Sequence, residues 1–203
     1  MPSYKICVSG AAVGDCVNEE TIEKAEAVGK AIARSGSILV TGATTGIPFY
    51  AARGAKKLDG VSIGFSPAAS YQDHVKRYQL PTRYMDVIVY TGFGYAGRNL
   101  ILTRSADAVI VICGRIGTLN EFTVAFEDKK TLGVLIGSGG IADEIKELTE
   151  LAHKHECHVL YEEDPDKLVK ELVRDLERMR VEDNHNPTPN KLAKTDWYFC
   201  EKD

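Results

Sequence analysis

Three features of this chain could do chemistry together: a guanidinium at Arg98, a carboxylate at Glu121, and the glycine-bearing stretch Gly114-Arg115-Ile116-Gly117-Thr118 between them. The residues ahead of that stretch, 108–112, form a continuous Val/Ile-rich apolar run, the pattern of a strand buried on both faces of a parallel sheet. Beyond it, apolar residues at Leu119, Phe122, Val124, Ala125 and Phe126 mark a helix starting at Thr118. Strand, glycine loop, helix start: this order turns unpaired backbone N–H groups and the positive end of a helix dipole toward one point, where a phosphate is favoured. An ordinary strand-to-helix turn, with glycine merely relieving backbone sterics, fits the same residues. Glu121 also has two readings. Thr118-Leu119-Asn120-Glu121 matches a Thr-x-x-Glu capping box, in which Glu121 returns to the Thr118 amide, and composition alone favours it. A carboxylate one turn from a bound phosphate could instead touch a ribose hydroxyl or stabilise positive charge on a sugar ring. Arg98 suits bidentate contact with a phosphate or carboxylate, or a surface salt bridge.

Other motifs count for less. Gly92-Phe93-Gly94-Tyr95-Ala96-Gly97 matches the literal Gly-x-Gly-x-x-Gly fingerprint, but the next strand ends in Ile112-Cys113-Gly114. The acidic residue that should recognise a dinucleotide ribose is missing there, so no NAD or FAD site is expected. His153, His155, Cys157 and His158 lack helical-face spacing for metal ligation, and residues 153–155 suit a helix C-terminus, so no metal is expected. Cys113 is a nucleophile by position and a buried strand-end thiol by surroundings. The five cysteines are odd in number and form no Cys-x-x-Cys pair, which predicts reduced cytosolic thiols rather than a disulfide framework.

The elements that must position these groups alternate. Strands are predicted at 5–8, 37–41, 61–65, 87–90, 108–112, 132–136 and 159–161. Helices lie between them, one capped by Asn18 and one opened by Asp164-Pro165. A short helix is expected at 71–78, and others at 98–105 and 141–155. Alternation of this kind implies a three-layer Rossmann-like α/β fold, a parallel sheet with helices on both faces. Ligands bind such sheets beyond the carboxyl ends of the strands. Four glycine loops fall there, after strands one, two, four and five, and they contribute Gly10, Gly42, Gly46, Gly97, Gly114 and Gly117. Residues 1–181 make one domain. In 182–203 two prolines break any periodicity, yet Trp197, Tyr198 and Phe199 cluster, so this tail is expected to dock on its own domain or a partner subunit.

Size and charge narrow the function. The chain has 203 residues, 44% of them hydrophobic, and a net charge of −4. No basic stripe is available for nucleic acid. No apolar run approaches the ~20 residues needed to span a bilayer. The N-terminus runs straight into a strand with no signal-peptide layout, and a cytoplasmic location is expected.

Taken together, these residues resemble the LONELY GUY family of Rossmann-like proteins, long mislabelled as lysine decarboxylases, across about residues 4 to 180. The family signature Pro-Gly-Gly-x-Gly-Thr-x-x-Glu stands here as Cys113-Gly114-Arg115-Ile116-Gly117-Thr118-Leu119-Asn120-Glu121, preceded by Arg98-Asn99 and Asp107-Ala108. The resemblance implies a phosphoribohydrolase that splits nucleoside 5′-monophosphates into base and ribose 5-phosphate, without a cofactor and commonly as a homodimer. Residues 114–118 would hold the phosphate, with Arg98 and Glu121 as the catalytic pair and Gly42 and Gly46 in the second glycine loop. Cys113, Arg115 and Asn99 depart from the signature's proline, second glycine and lysine. Arg115, Asn99 and a second loop that reads TGATTGIPF rather than the family's glycine-rich run motivate the alternative of a non-catalytic nucleotide or phosphorylated-cofactor carrier, and a related branch of the superfamily carries the molybdenum cofactor.

Overall fold

The computed structural model describes residues 3–152 and 158–185, the last three by backbone alone. Seven strands alternate with six helices among them: β1 (Lys5–Gly10), α1 (Glu19–Arg34), β2 (Ile38–Thr41), α2 (Ile47–Lys56), β3 (Ser62–Ser66), β4 (Val87–Tyr90), α3 (Gly94–Ser105), β5 (Ala108–Ile112), α4 (Ile116–Glu127), β6 (Thr131–Leu135), α5 (Ile141–Leu151), β7 (Val159–Glu162) and α6 (Pro165–His185). All pairings are parallel, in the order β4-β3-β2-β1-β5-β6-β7. This is the three-layer Rossmann-like fold expected from the alternation. No helix among the described residues is long and apolar enough to cross a membrane.

Strand periodicity divides the core. Ile6, Val8, Ile110 and Ile112 face one side, where α1, α2 and α6 close over them. Cys7, Val109 and Val111 face the other, beneath α3, α4 and α5. Both faces of β5 are therefore buried, which accounts for its unbroken apolar run. The first helix starts where Asn18 accepts from the Thr21 amide at 3.0 Å, with Glu19 and Glu20 set against the dipole. Its contact with α2 is close enough that a Cβ on Gly29 would lie 2.0 Å from the Ala51 carbonyl oxygen.

Several boundaries move. The short helix expected at 71–78 takes π geometry over Asp73–Arg77. Its buried His74 reaches Ser66 Oγ at 2.8 Å and the Pro81 carbonyl at 3.0 Å. One turn more than expected precedes Arg98, because α3 already begins at Gly94. The last helix passes the expected boundary and reaches His185. Residues 186–203, with the aromatic cluster of the tail, lie outside the described residues, as do His153, His155 and Cys157 of the histidine-rich stretch.

Candidate functional site

The strand order reverses direction between β1 and β5, whose register aligns Gly10 with Ile112. Loops leaving these two strands must part, one toward α1 and one toward α4, and a crevice opens between them. A cavity of about 500 Å³ occupies it. Its wall takes Gly10 through Val13 from the loop after β1, and Gly42 and Thr44 from the loop after β2. The first turns of α4 supply Arg115 through Thr118 and Glu121, and α3 supplies Tyr95, Arg98 and Asn99.

At one end of the cavity α4 begins. Leu119 donates to the Arg115 carbonyl at 2.9 Å, the first turn of the helix. The geometry of a helix start leaves the N–H groups of Ile116, Gly117 and Thr118 without carbonyl partners inside it. Arg115, at the cap, makes no side-chain capping bond, and the first turn carries no acidic residue. Ile116, Gly117 and Thr118 line the cavity, and a Cβ on Gly117 would meet nothing within 4 Å beyond its own helix start. The preceding carbonyls are turned away. Cys113 and Gly114 accept from Ala142 and Ile141 at 2.9 and 3.0 Å, satisfying the start of α5. Cys113 itself donates to Ser138 Oγ at 2.7 Å and holds φ +56°, a value closed to the proline of the resembled signature.

Glu121 and Arg98 face each other deeper in. Arg98 Nη1 donates to Glu121 Oε1 at 3.1 Å, and the two residues are 5% and 6% exposed. Ser9 Oγ donates to the other carboxylate oxygen. Burial pushes the Glu121 carboxyl above its usual range, and Arg98 and Ser9 oppose the shift without cancelling it. The capping-box reading is thereby corrected. Thr118 lies inside the helix rather than at its cap, and Glu121 is spent on Arg98 and Ser9. A buried carboxylate gains more from a guanidinium than from an amide at its own helix end. Asn99 steadies the same corner. In one amide orientation it donates to Asn120 Oδ1 at 3.0 Å, and in the other to Glu121 Oε1 at 2.8 Å and the Tyr95 carbonyl at 2.9 Å. Beneath the pair, Cys7 is fully buried. Burial drives its thiol pKa well up, the Glu121 charge adds to the rise, and Arg98 opposes it. Such a thiol is inert as a nucleophile.

The sequence-derived residues divide. Gly10, Gly42, Arg98, Arg115, Ile116, Gly117, Thr118 and Glu121 share the cavity wall; Gly46, Gly97 and Gly114 do not. Gly42 makes room for the guanidinium, since a Cβ there would lie 2.0 Å from Arg98 Nη1. Gly46 starts α2 at φ +68°, packed on the Ala11 and Ala12 carbonyls. Gly97 backs onto Phe93, and Gly114 holds φ +103° against Thr118. The loop after β4 contributes no wall residue of its own, because β4 is the sheet edge. It is α3, returning from that edge to pack on β1, that brings Arg98 in. Ser9 was missed. Its signal was alternation: two residues after Cys7 on β1, it faces the α4 side.

The expectation of reduced thiols also needs correction. Cys16 and Cys113 form a disulfide, with Cα atoms 5.9 Å apart. They are 97 residues apart in sequence, but the β1–β5 pairing brings the loops that follow those strands together.

A sequence model of the SLOG cluster4 family matches residues 3–169. The chain belongs to the SLOG cluster4 family. This SLOG cluster4 chain is 33% identical over 135 residues to an uncharacterized protein of Archaeoglobus fulgidus, an alignment covering 66% of the chain and 82% of that protein. Among solved structures it is similar to the molybdenum cofactor binding protein from Rippkaea orientalis, at 27% identity and TM-score 0.68 over 89% of this chain and 99% of that one. It is also similar to the molybdenum cofactor carrier protein from Chlamydomonas reinhardtii, at 26% identity and TM-score 0.70 over 87% and 99%. SLOG cluster4 membership agrees with the superfamily to which the sequence signature pointed.

Proposed function

We propose that this protein binds a phosphorylated small molecule, a nucleotide or a phosphorylated cofactor, and holds it as a carrier rather than turning it over. One observation carries the reading. The uncapped, acid-free start of α4 opens through Gly117 into a cavity of about 500 Å³. Free amides and the dipole favour the phosphate there, and Arg115 at the cap adds a cation. Similarity to proteins described as binding or carrying the molybdenum cofactor supports the carrier form. Glu121 supports it too, since both its oxygens are engaged by Ser9 and Arg98.

A second reading, phosphoribohydrolase of the LONELY GUY type, is favoured by the Arg98–Glu121 pair lying in the same cavity. A sugar leaving its base develops positive charge, which a carboxylate beside the ring stabilises. That chemistry requires the ligand to part Arg98 from Glu121. In either reading the ligand is a small molecule rather than a nucleic acid. We extend the proposal to a homodimer, supported by Val87, Val89, Phe93 and Leu100, which β4, α3 and the turn between them leave exposed.

Native mass spectrometry of the purified protein tests this. A phosphorylated ligand should be retained on a dimeric mass, and AMP should be bound without release of adenine. The Gly117→Ala variant should melt within about 2 °C of the parent, because open space receives the methyl. It should bind AMP about tenfold more weakly, because that methyl takes cavity space beside the helix start that the phosphate would fill. Adenine and ribose 5-phosphate released by the parent and not by Glu121→Ala would select the hydrolase. No phosphorylated ligand and no binding of AMP or inorganic phosphate would refute both readings.

A further inference from the structure

The Cys16–Cys113 disulfide plays no part in the binding chemistry above, yet it sits where the two walls of the cavity meet. Cys113 lies one residue before Gly114 and three before the open amides of α4. Cys16 closes the loop after β1, whose residues Ala11, Ala12 and Val13 line the cavity. The two sulfurs differ in access. Cys113 is fully buried, whereas Cys16 is half-buried and lines a second, open cleft of about 610 Å³ together with Gly14, Asp15, Gly114, Arg115 and Gly140. Their Cα separation of 5.9 Å lies in the range that a disulfide spans without moving the backbone.

The geometry points to a reversible redox site in which Cys16 and Cys113 exchange between dithiol and disulfide, and the disulfide staples the loop after β1 to the start of α4. The oxidant is a low-molecular-weight disulfide of the glutathione type. The Cys16 thiolate attacks one of its sulfurs and expels one thiolate, leaving a mixed disulfide. The Cys113 thiolate then attacks the Cys16 sulfur and expels the second. Two cysteine protons pass to the two thiolates released, so two thiols of the protein are oxidised as one external disulfide is reduced.

The staple acts on one partner more than the other. The Cys113 side is already fixed by Ser138 Oγ and by the start of α5. Across the cavity the loop after β1 is anchored at its start, where the Ile47 amide donates to the Ala11 carbonyl at 3.0 Å. Beyond that point it is tied locally by the Val17 amide to the Gly14 carbonyl at 2.9 Å, and at the exposed surface by Thr45 Oγ1 to the Ala12 carbonyl at 3.2 Å and Arg115 Nη1 to the Val13 carbonyl at 3.4 Å. Reduction therefore frees residues 12–17 and leaves the amide cup of α4 in place. Neither the pair nor its test needs a ligand, so its failure is separable from that of the binding reading.

The full-length protein, equilibrated in glutathione buffers from reducing to oxidising, gives the test. Under oxidising buffer, tryptic peptides 6–24 and 105–115 should appear linked, and the link should vanish on reduction. Peptide 6–24 also holds Cys7, so Cys16→Ser must abolish the link. Closing so long a loop should raise the Tm of the oxidised form by about 5–10 °C over the reduced form. Amide exchange at residues 12–17 should accelerate on reduction while that at 119–125 does not. If Cys113→Ser fails to fold, Cys16→Ser, at the half-exposed partner, still decides. Absence of the link under oxidising buffer overturns the proposal. So does a link that survives Cys16→Ser, or one that changes neither Tm nor exchange at 12–17.

Discussion

Replacing Gly42 by alanine probes the electrostatic centre of the cavity through one methyl group. The Cβ would lie 2.0 Å from Arg98 Nη1, 2.7 Å from its Cζ and 3.0 Å from Nη2, so the guanidinium must leave the position in which it meets Glu121 at 3.1 Å. Gly42 does not have positive φ, so the backbone accepts alanine without strain. Two limits bound the cost. A buried carboxylate left with no partner costs about 3–5 kcal/mol. If cavity water reaches Glu121, only a charge-assisted hydrogen bond is lost, about 1.5–3 kcal/mol. The cavity is open and Ser9 remains, so about 2–3 kcal/mol is expected, or roughly 4–12 °C in Tm for a domain of this size. Losing Arg98 removes the larger of the two influences that oppose burial, so the Glu121 carboxyl rises further. A raised folded-state pKa gives stability that is present below the unfolded value and lost as pH rises through the folded value. The deficit of Gly42→Ala should therefore be small in acid and grow as pH rises past the ordinary carboxylate range. Urea denaturation of the parent, Gly42→Ala, Glu121→Gln and the double variant at several pH values measures this. The cost of Gly42→Ala should shrink by at least about 1 kcal/mol when residue 121 is glutamine. A loss under about 0.5 kcal/mol at neutral pH, or equal losses in both backgrounds, would refute the coupling.

Two further outcomes follow from the packing of α1 on α2. Burial would raise the Glu26 carboxyl, but hydrogen bonds from Lys57 and Arg53, and their charges, hold it below the usual range. A depressed folded-state pKa stabilises above the unfolded value and loses that stability as pH falls through the folded one. Glu26→Gln should thus cost about 1 kcal/mol at neutral pH, a figure kept low because Lys57 is half exposed, and denaturation curves should converge with the parent in acid. Gly29→Ala should cost about 2 kcal/mol despite better helix propensity, because its methyl would meet the Ala51 carbonyl oxygen at 2.0 Å and force the helices apart. A melting temperature equal to or above the parent's would contradict the close crossing.

Local periodicity carried the fold. The unbroken apolar run of β5, the alternation of strand and helix, and the Asn18 cap are one-dimensional patterns whose physical causes lie within a few residues, and the sequence by itself determined them. It also pointed to the glycine loop before α4, because a strand–loop–helix order exposes amides whatever lies around it. What Glu121 does was a tertiary decision. Thr118-x-x-Glu121 satisfies a local capping rule, but α3 delivers Arg98 across the sheet and β1 delivers Ser9, and burial makes charge pairing worth more than a cap. The Cys16–Cys113 pairing was likewise invisible, since no spacing rule reaches across 97 residues; only the parallel register of β1 on β5 sets those two loops side by side. Residue types and short periods fix which groups are available, and the strand order fixes which of them meet.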